Sequence, residues 1–156
     1  MTDLRQVFDD LVRFETILWG AVDGRLQEEC GLGLASLNGM LVIDATPLCR
    51  VHDIAQAVAI TVGGASQAVD RLESAGLCVR RANPSDRRSS IVELTPDGIE
   101  LLRVAVPVFE RELERLLRAP LPGTALTHLA DALGVLRRSA AAQAGRPAAG
   151  GAAKRI

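Results

Sequence analysis

The stretch from Thr61 to Gly98 constrains this chain more than any other part of it. Thr61 offers a hydroxyl that can cap a helix over 62–75. Ala65, Val69 and Leu72 recur there at the three- and four-residue steps that line one helical face. Gly76 then suits the left-handed backbone of a helix exit, and Leu77 can close back on Leu72 as a Schellman ending requires. Residues 77–82 (LCVRRA) and 90–95 (SIVELT) are β-branched and partly alternating, which predicts two strands. Between them NPSDRRS is a turn-rich tip carrying Asp86, Arg87 and Arg88. Thr95-Pro96-Asp97 opens a further helix with a capping hydroxyl, a proline in the first turn and an acid at the positive helix end. A helix, a tight hairpin and a fresh helix must therefore follow one another with almost no loop between them.

The rest of the chain fits helices around that core. Leu4, Val7, Phe8, Leu11, Phe14, Leu18, Val22 and Leu26 predict one long amphipathic helix over 4–29, closed by Gly31 and Gly33. A second helix runs over 34–45, with Leu37, Met40 and Leu41, and stops before Pro47. Residues 51–58 form a short third helix with Ile54, Ala55 and Val58 inward. With helix 62–75 a few residues later, it makes a helix-turn-helix candidate, and a hairpin directly after such a pair is a wing. The helix opened by Pro96 extends to about 118, with Leu102, Val106, Phe109, Leu113 and Leu116 as its stripe and a kink expected at Pro107. A last helix, about 124–141, places Leu126, Leu129, Leu133 and Leu136 on one face at coiled-coil-like spacing. Residues 144–156 are low-complexity and expected to be a disordered tail. The expected fold is mainly α with a small β-hairpin wing, in the order α-α-α-α-β-β-α-α.

Composition narrows the function classes. The chain has 156 residues, 48% of them hydrophobic, which is enough for one domain's core. No apolar run approaches the roughly 20 residues of a membrane span, and MTDLRQVFDD lacks the basic-then-apolar start of a secretory signal. A cytoplasmic location is expected. The formal net charge is -1, so bulk basic charge gives no sign of a nucleic-acid partner. The distribution of charge does. Seven acids and three bases fall within residues 1–33, whereas residues 77–95 gather Arg80, Arg81, Arg87 and Arg88 against Asp86 and Glu93. Of the 18 basic residues 17 are arginine, which reflects either GC-rich coding or the suitability of guanidinium forks for phosphate and guanine edges.

From Val69-Asp70-Arg71-Leu72-Glu73 through Ala75-Gly76-Leu77, Arg80, Asn83-Pro84 and Asp86-Arg87-Arg88-Ser89 to Val92-Glu93-Leu94-Thr95-Pro96-Asp97-Gly98, the chain resembles the MarR family of winged-helix transcription regulators. With the order of helices and wing, the resemblance covers about residues 4–141. It implies a homodimer, with residues 1–33 and 96–143 as an interlocked helical dimerisation region and residues 34–95 as the winged helix-turn-helix that binds DNA. It also implies that the second helix of the pair enters the major groove, that a wing arginine reaches the minor groove, and that a small aromatic or phenolic ligand, or an oxidant, releases the DNA.

These implications attach to particular residues. A hairpin tip is thin enough for a minor groove about 6 Å wide, where a guanidinium meets concentrated negative potential. Asp86 can orient Arg87 or Arg88 through a bidentate pair. On the recognition-helix candidate, Thr61, Ser66 and Gln67 supply donors and acceptors, with Arg71 a turn farther on. Gly63 and Gly64 each cost a helix roughly 1 kcal/mol against alanine. They permit either close approach to phosphates or a first turn that frays until DNA tightens it. Phe14, Trp19 and Met40 are the candidate walls of a ligand pocket, with core packing as the alternative.

Other chemistries find little purchase. Cys30, Cys49 and Cys78 lack metal-like spacing, and a redox-sensing thiol needs a lowered pKa and exposure; packing as small hydrophobes is the plainer role. His52 and His128 are too few for a metal site. No nucleophile–base pair or phosphate-cradling glycine loop occurs, so neither an enzyme nor a cofactor is expected. The expected function is a sequence-specific double-stranded DNA-binding regulator, a repressor relieved by a small ligand and acting as a homodimer on a palindromic operator. The rival readings are a winged-helix protein–protein interaction module and a thiol-based redox-responsive regulator.

Overall fold

A computed structural model of the protein describes residues 1–144; the tail expected from residue 144 lies, beyond Ala144 itself, outside the described residues. The chain divides into two compact units, Met1–Leu113 and a second from Glu114 onward.

The first unit contains helices α1 (Leu4–Cys30), α2 (Leu34–Ala45), α3 (Val51–Ala57) and α4 (Val62–Ser74), strands β1 (Cys78–Ala82) and β2 (Ser90–Leu94), and helix α5 (Pro96–Leu113). Its core is built from Leu37, Met40 and Ile43 of α2, Ile54 and Ala55 of α3, and Ala65, Val69 and Leu72 of α4. Cys78 and Val92 of the hairpin close it from below. The inward sets expected for α3 and α4 from their spacing are the buried ones, except that Val58 is only half-buried.

Three expectations need correction. The apolar stripe of α1 is buried only at Val22 and Leu26, while Leu4, Val7, Phe8, Leu11 and Phe14 are exposed, because α2 and α5 cover only part of this 27-residue helix. In α5 the period is right and the phase is not. Leu102, Ala105, Val108 and Glu112 are buried, whereas Val106, Phe109 and Leu113 are half-buried. Small Ala105 takes the centre of the contact, and Glu112 is admitted because Arg25 of α1 lies 3.5 Å away; pairing is what makes burial of a carboxylate tolerable. Finally α5 ends at Leu113 instead of near 118, and Glu114–Arg118 forms a π-helical turn. There the Ala119 N–H donates to the Glu114 carbonyl at 2.9 Å, a widened last turn before Pro120, which cannot continue a helix.

The second unit, taken alone, is that π-helical turn followed by α6 (Gly123–Ala144). In α6, Leu126 and Leu129 are half-buried, while Leu133 and Leu136 are exposed.

The exit from α4 is fixed by hydrogen bonds that also start α5. The Leu77 N–H donates to the Leu72 carbonyl and the Gly76 N–H to the Glu73 carbonyl, both at 2.9 Å, with Gly76 at φ 74°. This is the Schellman ending expected from the sequence. Across the hairpin, the Thr95 N–H donates to the Leu77 carbonyl (3.0 Å), and the Thr95 hydroxyl donates to the Gly76 carbonyl (2.6 Å) while accepting from the Gly98 N–H (3.0 Å). Gly98 is buried in that joint, and a Cβ there would run into the carbonyl oxygen of Leu77. Gly98→Ala is therefore expected to destabilise the protein by about 1–3 kcal/mol, as overpacking does. The readout is the denaturant midpoint. Gly63→Ala, whose Cβ would meet open space, serves as the control and should leave the midpoint unchanged or slightly raised.

Candidate nucleic-acid interface

The hairpin is antiparallel, with Val79 opposite Glu93, Arg80 opposite Val92 and Arg81 opposite Ile91. The loop before α3 extends it. The Val92 N–H donates to the Cys49 carbonyl at 2.7 Å, and Arg50 bridges to Ile91. The tip is tied by its own polar side chains. Asn83 Oδ1 accepts from the Ser85 N–H (3.0 Å), Asn83 Nδ2 donates to the Ser89 hydroxyl (2.9 Å), and Asp86 Oδ1 accepts from the Arg88 N–H (3.0 Å).

Asp86 thus fixes the backbone of the turn and forms no ion pair with either guanidinium, contrary to the bidentate role expected of it. An aspartate at the start of a tight turn meets the N–H two residues on before it meets a long side chain. Arg87 and Arg88 are exposed. Four arginines lie in the hairpin, and those on the strands are committed: Arg81 pairs with Glu93 at 2.5 Å, and Arg80 with Asp70 and Glu73 at 2.6 Å each. Arg80 also donates to the Ser66 carbonyl, so one side chain from β1 grips three residues of α4. Burial opposes its charge, but the hydrogen bonds it donates to Asp70 and Glu73 outweigh that and raise its pKa.

α4 presents four faces. Ala65, Val69 and Leu72 point to the core. Gly63 and Gln67 are exposed on the outer side, near Asp70. Val62 and Ser66 look toward the wing across a cleft of about 380 Å³ that Arg88 also lines. Gly64, Ala68 and Arg71 look the opposite way, into a cavity of about 160 Å³. Thr61 caps the helix, its hydroxyl accepting from the Gly64 N–H at 3.0 Å, and a Cβ on Gly64 would lie 3.2 Å from that hydroxyl. So Ser66 and Arg88 are brought together, Gly63 and Gln67 form the outer surface, and Arg71 lies round the helix from both. The turn between α3 and α4 passes through Ala59 at φ 56°, a left-handed position that packing must hold.

Of the three candidate pocket residues, Trp19 lines the smaller cavity, with Asn38 and Ile54 among its other walls. Met40 is fully buried in the core, and Phe14 is 39% exposed on α1. The structure does not gather the three into one site. Arg71 and Asn38, not singled out as pocket residues, bring polar groups to Trp19; the three-residue step from Ala68 to Arg71 is the only hint the sequence carries. Arg50 and His52 also line the larger cleft; sequence reading passed over Arg50 and weighed His52 only as a metal ligand.

No thiol is activated. Burial pushes Cys78 up to about 11, with Glu73 adding to the rise and Arg80 opposing it. Burial likewise raises Cys49, helped by Asp53, and raises Cys30, helped by Glu29. Among the described residues no group of His, Cys, Asp and Glu is placed to hold a metal ion, and no helix is long and apolar enough to cross a membrane.

A helix-turn-helix whose second helix runs straight into an arginine-tipped hairpin defines a winged-helix protein, and solved structures of that class share the arrangement of helices and two-stranded hairpin. The MarR family model matches residues 35–90. The HTH-type transcriptional regulator MhqR of Bacillus subtilis is 30% identical over 67 residues, which cover 43% of this chain and 46% of that relative, so the match spans just under half of MhqR. Sco3205 of Streptomyces coelicolor, a MarR family transcriptional regulator solved in complex with DNA, is similar with a TM-score of 0.79 and 26% identity, over 97% of this chain and 94% of that one. CouR of Rhodococcus jostii RHA1, solved bound to p-coumaroyl-CoA, is similar with a TM-score of 0.72 and 25% identity, over 81% and 87%. The chain is thus similar to MarR family regulators through its winged-helix region, and the regulators of that family are DNA-binding transcription factors and not enzymes.

The raised thiols make a test. Protonated thiols are poor nucleophiles, so iodoacetamide at pH 7–8 should label the folded protein far more slowly than the protein in denaturant, at all three cysteines. A cysteine alkylated as fast in the folded state would revive thiol-based regulation.

Proposed function

We propose that this chain is a cytoplasmic, homodimeric, sequence-specific double-stranded DNA-binding transcriptional regulator, a repressor of a palindromic operator relieved by a small aromatic or phenolic ligand. One observation carries the reading. Arg87 and Arg88 stand exposed at a tip braced by Asn83 and Asp86, on a wing that Arg80 holds against α4. A braced guanidinium at a narrow tip suits a minor groove, while the outer side of α4, with Gly63 and Gln67, suits the major groove beside it. With so few base-reading side chains, phosphate contacts and groove shape carry much of the recognition. The DNA-bound relative Sco3205 supports the assignment.

The homodimer is supported by apolar surface. Leu4, Val7, Phe8 and Leu11 of α1 are exposed, as are Leu133 and Leu136 of α6, and a second copy of the chain would cover such faces. Two-fold symmetry then calls for half-sites about one helical turn apart. The ligand is supported by the cavity beside Trp19, whose 160 Å³ is close to the roughly 150 Å³ that takes a benzene ring. Trp19 supplies a stacking surface and Arg71 a cation for a phenolate or carboxylate. CouR bound to p-coumaroyl-CoA shows a related fold holding a phenolic ligand.

The test is the double variant Arg87→Ala/Arg88→Ala. Binding to the DNA flanking the chain's own gene should weaken at least tenfold, and the slope of log K against log salt should flatten by about 1.8 for two lost phosphate-like contacts. The dimer should survive in sedimentation. Unchanged affinity in the variant would remove the wing's role. If the wild-type chain shifts no duplex at low salt but captures a protein partner, the fold serves as an interaction module instead.

A further inference from the structure

Resting on the DNA reading just given, the geometry points to a seat for the phosphate backbone between the recognition helix and the wing, completed by residues at the start of α3. A backbone strand is what separates a major groove from the minor groove beside it. A duplex that takes α4 in one and the wing in the other must run a sugar–phosphate strand between them. In this fold that space is the cleft of about 380 Å³, lined by Ser66 of α4, Arg80, Arg88 and Ser90 of the hairpin, and Arg50 and His52 at the start of α3. We infer that this cleft holds the phosphodiester backbone of one DNA strand, and that Arg50 and His52 are phosphate contacts.

Three elements bring guanidinium or imidazole groups to one slot, and the structure separates their duties. Arg80 is neutralised by Asp70 and Glu73, so it acts as a positioning residue that sets the width of the cleft by tying β1 to α4. Arg88, held through its backbone by Asp86, is exposed on the wing side. Arg50 forms the opposite lip. Its N–H donates to Asp53 Oδ2 at 2.8 Å and its backbone bridges to Ile91, so it is anchored to α3 and to the wing at once. Its guanidinium lies 3.4 Å from Asp53 on one side and is about half exposed, which leaves its other N–H groups for a phosphate oxygen. His52 is exposed one turn-position on. The carboxylates near the slot are Asp53, Asp70 and Glu73, and each is engaged by Arg50 or Arg80.

The experiment is anisotropy titration of the full chain against two mixed-sequence duplexes of unrelated sequence, in 50 and 200 mM salt. Phosphate contacts ignore sequence, so no operator is needed. Arg50→Gln should weaken both duplexes alike and flatten the salt slope by about 0.9, so that its deficit shrinks about 3.5-fold between the two salts. Arg50→Lys should restore the slope. His52→Ala, an exposed substitution that does not threaten folding, should weaken both duplexes about twofold to tenfold. Arg50→Gln binding with the wild-type slope overturns the inference while leaving the DNA reading intact. Should Arg50→Gln fail to fold, His52→Ala with wild-type affinity overturns it. A wild-type chain that binds neither duplex sinks the DNA reading itself.

Discussion

The arrangement depends on one side chain reaching from a strand to a helix. Arg80 leaves β1, meets Asp70 and Glu73 at 2.6 Å and the Ser66 carbonyl at 3.3 Å, and so grips one side of α4 over about two turns. A two-stranded hairpin is marginal by itself in water. Here it is held on one side by Arg80 and on the other by the Cys49 carbonyl, which accepts from Val92. Without those attachments the wing tip and the outer side of α4 would have no fixed relation. The contact is also multidentate, and a planar guanidinium between two carboxylates resists rotation in a way an ammonium cannot.

The same economy appears at the far end of α4. The carbonyls of Gly76 and Leu77, left over by the helix ending, are taken up by Thr95, whose hydroxyl also caps α5. One threonine thus ends one element and begins another. Arg25 and Arg111 make a looser version of this between α1 and α5, through Glu112 and Glu29 respectively. The Arg111–Glu29 pair is largely exposed and contributes little alone, whereas Arg25 compensates a buried Glu112; together they favour one face of α5 against α1.

The legible parts of the chain were those written in local rules. The cap at Thr61, the exit at Gly76, the tip from Asn83 to Ser89 and the opening at Thr95 each obey a rule spanning five or six residues, and each is where the sequence placed it. The illegible parts depend on partners distant in sequence. Gly33, at the cap position just before α2, has no side chain to cap it, and Asp23 of α1 accepts from the Leu34 N–H at 2.7 Å instead; nothing local announces that. The phase of α5 turns on Ala105 against α1, and periodicity alone cannot separate the buried side of a stripe from its margin. Asp86 failed for a different reason: two roles were open to it, and the nearer N–H won. Phe14, Trp19 and Met40 were grouped by residue type, whereas the cavity beside Trp19 is lined by Asn38 and Arg71, which no local rule brings to it.

The four-sided character of α4 has an evolutionary consequence. Its core side is fixed by packing, its wing side by Arg80 and its cavity side by the walls beside Trp19. Gly63 looks into open space and Gln67 is exposed. On the proposed DNA reading, substitutions at those two places would alter what the helix offers a base pair without disturbing what holds the helix, so descendants of this chain could drift toward new target sites by single steps, each nearly silent for folding.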